Sequence, residues 1–99
     1  MTSDSRVVLV TGAARGIGAA TVRRLAASGH RVLALDGCAG ESGAPYPLAT
    51  RAELDSVVDD CPDGSVLAHE ADVRDRAALM AAVERALTTW GRLNAAVAA

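Results

Sequence analysis

The stretch VLVTGAARGIGAAT, residues 8–21, sets Gly12, Gly16 and Gly18 between an apolar run and an alanine-rich one. Whether it holds a phosphate or is merely a glycine-rich loop depends on its surroundings. Glycine makes up about 7% of ordinary sequence, so a fixed three-glycine pattern arises by chance at roughly 3 in 10,000 start positions. The glycines alone are therefore weak evidence. Before them, RVVLVT at 6–11 is a continuous β-branched and aliphatic run, the pattern of a strand buried on both faces of a parallel sheet. After them the period becomes helical: Ile17, Ala20, Thr21 and Leu25 fall on one face, and SGH at 28–30 supplies a glycine stop. A second strand, RVLALD at 31–36, follows at once and ends on Asp36, 18 residues past Gly18. Strand, glycine turn, helix and strand-end acid form the context in which such a pattern binds a dinucleotide.

The residue types match that chemistry. Gly12 lets the chain leave the strand at angles a Cβ forbids, Gly16 removes a side chain where a pyrophosphate approaches the backbone, and Gly18 allows close helix packing. The amide hydrogens of the first helical turn then point at the phosphates, where the helix dipole also favours negative charge. Arg15 either adds a cation or is an exposed loop residue with no role. Asp36 either accepts from both hydroxyls of an adenosine ribose or is a solvated turn acid. Gly37 follows it in place of a basic residue, so a 2′-phosphate would meet a carboxylate with nothing to offset the repulsion. NAD is favoured over NADP on this ground, with Arg15 as a counter-signal, since a basic residue just before the second glycine also serves a 2′-phosphate. A P-loop is excluded because it needs a lysine and the chain has none. The spacing G-x-x-x-G-x-G with no acid before Thr11 also fits a methyltransferase poorly.

The rest of the chain continues the alternation. Residues 37–49, GCAGESGAPYPLA, carry glycine breaks and two prolines and read as a long loop, a kind that is often functional. Thr50 and Glu53 have capping-box spacing, and Leu54, Val57, Val58 and Cys61 give the stripe of a short helix ended by Pro62. SVLAHEADV at 65–73 reads as a third strand. Asp75 then opens the longest helix, with Leu79, Val83, Ala86 and Trp90 on one side and Gly91 as its stop, and LNAAVAA at 93–99 begins a fourth strand. The order βαβαβαβ implies an α/β fold: a doubly wound parallel sheet with helices on both faces, residues 1–99 forming one dinucleotide-binding unit.

Composition narrows the partners. A net charge of −2 with interspersed arginines and acids lacks the basic footprint of a nucleic-acid binder. VVLV is far too short to cross a bilayer, and MTSDSR is no signal peptide, so a soluble, cytoplasmic protein without membrane contact is expected. Cys38 and Cys61 are too few and too far apart for a zinc site or disulfide framework and are read as reduced thiols. Neither His30 nor His69 has an acid or cysteine at ligand spacing, so no metal is expected. Glu70 and Asp72 stand two apart on a strand, without a substrate pocket to make them catalysts.

TGAARGIG at 11–18, Asp36, ADV at 71–73 and the strand after WGRL resemble the N-terminal half of the short-chain dehydrogenase/reductase family, whose cofactor motif is T-G-x-x-x-G-[IL]-G. The resemblance covers almost the whole chain. It implies a Rossmann-type sheet and an NAD(P)-dependent oxidoreductase acting on a small alcohol or carbonyl compound, in full-length relatives that are homo-oligomeric. Carried over by residue, Thr11 would brace the turn, Gly12, Gly16, Ile17 and Gly18 would line the pyrophosphate, and Asp36 would bind the ribose. Asp72 would accept from the adenine amino group, and the Val73 backbone would meet the ring; Asp72 also reads as a helix cap or strand-end acid. PYPLATRAEL at 45–54, with NAAVAA, is similar to the subgroup associated with mycofactocin, which implies a retained nicotinamide cofactor and mycofactocin as external electron acceptor. Where many members carry Asn-Asn-Ala-Gly after the fourth strand, this chain has Val97, Ala98 and Ala99, so any bracing by asparagine is lost.

Hydride transfer in this family relies on a tyrosine with a lysine four positions later and on a serine that orients the substrate oxygen. Tyr46 lies in the 37–49 loop and there is no lysine, so no catalytic residue is assigned. The simplest expectation is a fragment whose catalytic half lies downstream, inactive by itself; the alternatives are a non-catalytic dinucleotide-binding module or a non-functional gene fragment.

Overall fold

The computed structural model describes residues 5–38 and 49–99. It runs β1 (Val7–Thr11), α1 (Gly16–Ala27), β2 (Arg31–Asp36), α2 (Arg51–Asp59), β3 (Val66–Glu70), α3 (Arg76–Trp90) and β4 (Ala95–Ala98), the alternation expected from sequence. Most of the 37–49 loop, Tyr46 included, lies outside the described residues.

All pairings are parallel and the strand order is β3-β2-β1-β4. Strand alternation divides the core in two. Val8, Val10, Val32, Ala34 and Val66 pack on one face with Ala19, Val22 and Ala26 of α1 and Leu54 and Val57 of α2. Val7, Leu9, Leu33 and Leu35 pack on the other with Ala82 and Ala86 of α3. The central strands are sealed from both sides, which is why they read as unbroken apolar runs. Each fully buried Val or Leu contributes about 1.5–3 kcal/mol.

Helix limits follow local chemistry. Thr50 and Glu53 form a complete capping box on α2, Asp75 caps α3 by accepting from the Ala78 amide, and Gly91 ends α3 in the left-handed region at φ 79°. One expectation is corrected. The buried face of α1 is Gly18, Ala19, Val22 and Ala26, whereas Ile17 is 80% exposed and Ala20 also faces solvent. Small residues face the sheet because the start of α1 lies almost on the backbone of Gly12: a Cβ on Gly18 would sit 2.0 Å from the Gly12 carbonyl oxygen. A large side chain has no room there, so Ile17 turns outward, while Val22 and Leu25 further along the helix pack on the core. Trp90, expected in the core, is half-buried and packs against its edge.

The topology also fixes where a ligand fits. From β1 the chain steps outward through β2 to β3, then crosses back so that β4 lies on the other side of β1. The connection from β1 to β2 and the crossover from β3 to β4 thus lead to opposite sides of β1, the reversal of strand order at whose carboxyl ends ligands usually sit in such sheets.

Candidate dinucleotide site

The site begins where β1 ends. Gly12, at φ 61°, turns the chain out of the strand. The Ala13 amide donates to the Leu35 carbonyl at 3.1 Å and the Ala14 amide donates to Asp36 Oδ2 at 3.1 Å, so the turn is stitched to the end of β2. Arg15 is the N-cap of α1, in extended conformation, and offers no side-chain cap. The first helical hydrogen bond runs from the Ala19 amide to the Arg15 carbonyl at 3.2 Å. The amide hydrogens of Gly16, Ile17 and Gly18 therefore precede the ladder, in the positions that need an acceptor from outside the helix. Gly16 has φ 56°, and a Cβ built there would meet none of the described residues within 4 Å.

Asp36 is held as firmly as the turn. Its Oδ2 accepts from Ala14, and its Oδ1 accepts from the Cys38 amide at 3.0 Å. A carboxylate has about four acceptor positions, so capacity for two further hydroxyl donors remains. Cys38 is half-buried beside it with φ 51°, and burial, followed by the charges of Asp36 and Glu70, pushes its thiol up to about 11, away from the thiolate. Cys61 is buried and unpaired, its Sγ 3.3 Å from the Val57 carbonyl, as expected for a reduced thiol.

Thr11, Gly12, Asp36, Gly37, Asp72 and Val73 border one depression of about 230 Å³ at this rim. Five of the nine residues expected at the site are thus brought together, and Arg15, Gly16, Ile17 and Gly18 form the turn beside them. Several of them also make contacts within the chain. The Thr11 hydroxyl lies 3.5 Å from the Val97 carbonyl and 3.4 Å from the Ala99 amide, tying β1 to β4. The carboxylate of Asp72 takes the Arg74 guanidinium at 2.7 Å and the Arg74 amide at 2.9 Å, which lowers its pKa to about 2. The Ile17 side chain points to solvent, leaving its amide as the group available to an anion. Sequence reasoning missed two participants. Ala14 fixes Asp36 through its backbone, which no side chain announces. Glu53 was read as a cap alone, yet it also binds Arg15 in a two-bonded ion pair, Nε to Oε2 at 2.6 Å and Nη2 to Oε1 at 2.8 Å.

A second cavity, of about 260 Å³, lies at the opposite end of the strands between Ser5, Val7, Arg31, Trp90 and Arg92, and contains none of the turn. Among the described residues no three histidine, cysteine or acidic side chains cluster as a metal site, and no helix is long and apolar enough to cross a membrane.

Comparison with known proteins agrees with this geometry. The family model described as short chain dehydrogenase matches residues 6–99. An uncharacterised oxidoreductase of Mycobacterium tuberculosis is 42% identical over 97 residues, covering 96% of this chain and 36% of that protein. The crystal structure of carveol dehydrogenase from Mycobacterium avium in complex with NAD superposes with a TM-score of 0.79 at 32% identity, over 97% of this chain and 36% of that one. A short chain dehydrogenase from Mycobacterium paratuberculosis bound to NAD gives 0.83 at 33% identity, over 92% of this chain and 35% of that one. The chain thus spans about a third of the length of these relatives. On sequence and fold alike, it belongs to the short-chain dehydrogenase family.

Proposed function

We propose that residues 1–99 are the N-terminal, NAD-binding part of a Rossmann domain in an oxidoreductase that moves a hydride between a small alcohol or carbonyl compound and nicotinamide. The observation that carries this reading is the bare amino end of α1, with Gly16, Ile17 and Gly18 amides lacking ladder partners, a Gly16 whose Cβ would meet no described residue, and an anchored Asp36. The diphosphate of NAD supplies the acceptors those amides need, and the dipole of α1 adds to their pull. Asp36 takes the two ribose hydroxyls on its remaining lone pairs. The depression beside it is smaller than the roughly 300–1,000 Å³ of sites that enclose a whole ligand. It suits one end of an extended molecule, with Asp72 and Val73 meeting the adenine.

When bound, nicotinamide supplies a carbon that accepts or returns a hydride. The residues described here bind and orient it. A chain without lysine holds no tyrosine-lysine pair, so the proton step is assigned to residues outside these 99, which alone bind the cofactor without turnover. The alcohol or carbonyl substrate class is supported by family membership and by the carveol dehydrogenase likeness. The similarity of residues 45–54 to mycofactocin-associated members supports mycofactocin as the external electron acceptor.

Calorimetric titration of the purified chain tests the binding reading: NAD is expected to bind with measurable heat, and a folded chain that gives none overturns it. Asp36→Ala is expected to weaken NAD more than NADP. Equal losses would show that the carboxylate does not read the ribose.

A further inference from the structure

Arg15 and Arg51 are each answered by a carboxylate of α2, and Arg74, across the depression, is answered by Asp72. Arg15 is gripped by Glu53 through two hydrogen bonds of 2.6 and 2.8 Å. Arg51 pairs with Asp55 at 2.9 Å. Glu53 is itself fixed: its Oε1 accepts from the Thr50 amide at 3.2 Å, and the Thr50 hydroxyl accepts from the Glu53 amide at 3.3 Å. Ala14, the residue before Arg15, donates its amide to Asp36 Oδ2 at 3.1 Å, so Arg15 leaves the turn next to the residue bound to that carboxylate. With Arg15, Arg51 and Arg74 each paired to a carboxylate, Asp36 is left without a guanidinium partner among the described residues. A phosphate on the ribose that Asp36 holds would bring up to two more negative charges. It would need a cation whose charge is not already matched, and the guanidinium beside it is matched by Glu53.

We propose that Glu53 is a specificity-setting positioning residue: by clamping Arg15 it withholds the counter-ion that a 2′-phosphate would require and thereby tunes the site to NAD. The inference rests on the NAD-binding reading above and goes beyond it in assigning the discrimination to a residue that touches no cofactor. Asp36 repels the phosphate directly, and Glu53 disables the group that would compensate for that repulsion.

The test is titration of the full chain with NAD and with NADP, in the wild type and in Glu53→Gln, Arg15→Ala and the double variant. Glutamine still accepts from the Thr50 amide and so keeps the capping box, which thermal unfolding followed by circular dichroism verifies. Glu53→Gln is expected to tighten NADP about tenfold while NAD changes less than about twofold, as the carboxylate charge that competes for Arg15 is removed. Arg15→Ala alone is expected to leave NADP within about twofold of wild type, and in the Glu53→Gln background it should erase the gain. An unchanged NADP-to-NAD ratio in Glu53→Gln, with NAD still bound, overturns the clamp and leaves the NAD-binding reading standing. A tenfold loss of NADP on Arg15→Ala alone does the same, because Arg15 would then already serve the phosphate. Absence of NAD binding in the wild type removes the binding reading and this inference together.

Discussion

Two helices begin next to each other at the carboxyl rim of the sheet, and they treat the same four orphan amides in opposite ways. α2 answers them from its own sequence, with the Thr50 hydroxyl and the Glu53 carboxylate closing a reciprocal box. α1 does not: its N-cap is Arg15, a residue with no acceptor to offer, and three glycines surround it. A capped terminus is complete, whereas an uncapped one beside open space is half of an interaction. The two ends also communicate, since the carboxylate that finishes α2 grips the N-cap residue of α1. On the proposed reading, what would distinguish a binding turn from a structural one is unfinished hydrogen bonding, judged against a neighbour that is finished.

The comparison can be broken most severely at Gly18. A Cβ there would lie 2.0 Å from the Gly12 carbonyl oxygen, and backbone cannot swing aside as a side chain does. Gly18→Ala is expected to cost about 3 kcal/mol of stability, read as a lower urea midpoint. Gly16→Ala is the contrasting case. None of the described residues lies within 4 Å of the new methyl, so the expected cost is that of the left-handed backbone, about 1–2 kcal/mol. Its larger effect falls on binding, where the methyl occupies the diphosphate's place and NAD affinity drops about tenfold or more. If both variants lost stability equally and Gly16→Ala still bound NAD normally, the missing side chain at Gly16 would have no connection with the cofactor.

These differences explain how much of the molecule could be read in advance. The boundaries of α2 and α3 follow from residues within four positions of each other, Thr50 with Glu53 and Asp75 with Ala78, and local rules suffice for local chemistry. The buried strands were readable because residues sealed on both faces leave no polar alternation. The face of α1 departs from the sequence reading at Ile17, which looks like core by bulk, because the packing surface at the start of the helix is set by contact between Gly18 and Gly12; Leu25, two turns on, does pack against the core beside Ala19, Val22 and Ala26. The glycine turn and Asp36 were legible as a pattern. The partners that hold them were not: Ala14 acts through its amide, and Arg15 meets Glu53 across 38 residues, a separation no periodicity encodes.

The capped end gives a smaller effect of the opposite kind. Thr50→Ala removes the hydroxyl that accepts from Glu53 and is expected to cost about 1 kcal/mol, with α2 fraying in hydrogen exchange. NAD affinity should stay within about twofold, because no cofactor-facing amide is involved. A loss of NAD binding as large as that of Gly16→Ala would mean that the two helix ends do not divide structure from binding.

The smallest expected effect is a pH dependence confined to the finished end. The Arg15 guanidinium, helped by the Thr50 donors, lowers the Glu53 pKa from 4.5 to about 2. A carboxylate depressed on folding contributes stability that is complete above its unfolded value and is lost as pH falls through its folded one. The Glu53 contribution is therefore present above about pH 4.5 and disappears toward pH 2, loosening the α2 box and the grip on Arg15 together. Both partners are solvent-exposed, so the change in global stability is slight, and carboxyl chemical shifts are the proper measurement. Asp72, lowered to about 2 by Arg74, provides the internal control. In Arg15→Ala the Glu53 titration should move back toward 4.5 while that of Asp72 stays in place. A wild-type Glu53 midpoint near 4.5 would show that the bridge joining the two helix ends does not form in solution, and the bare end of α1 would then have to be explained without it.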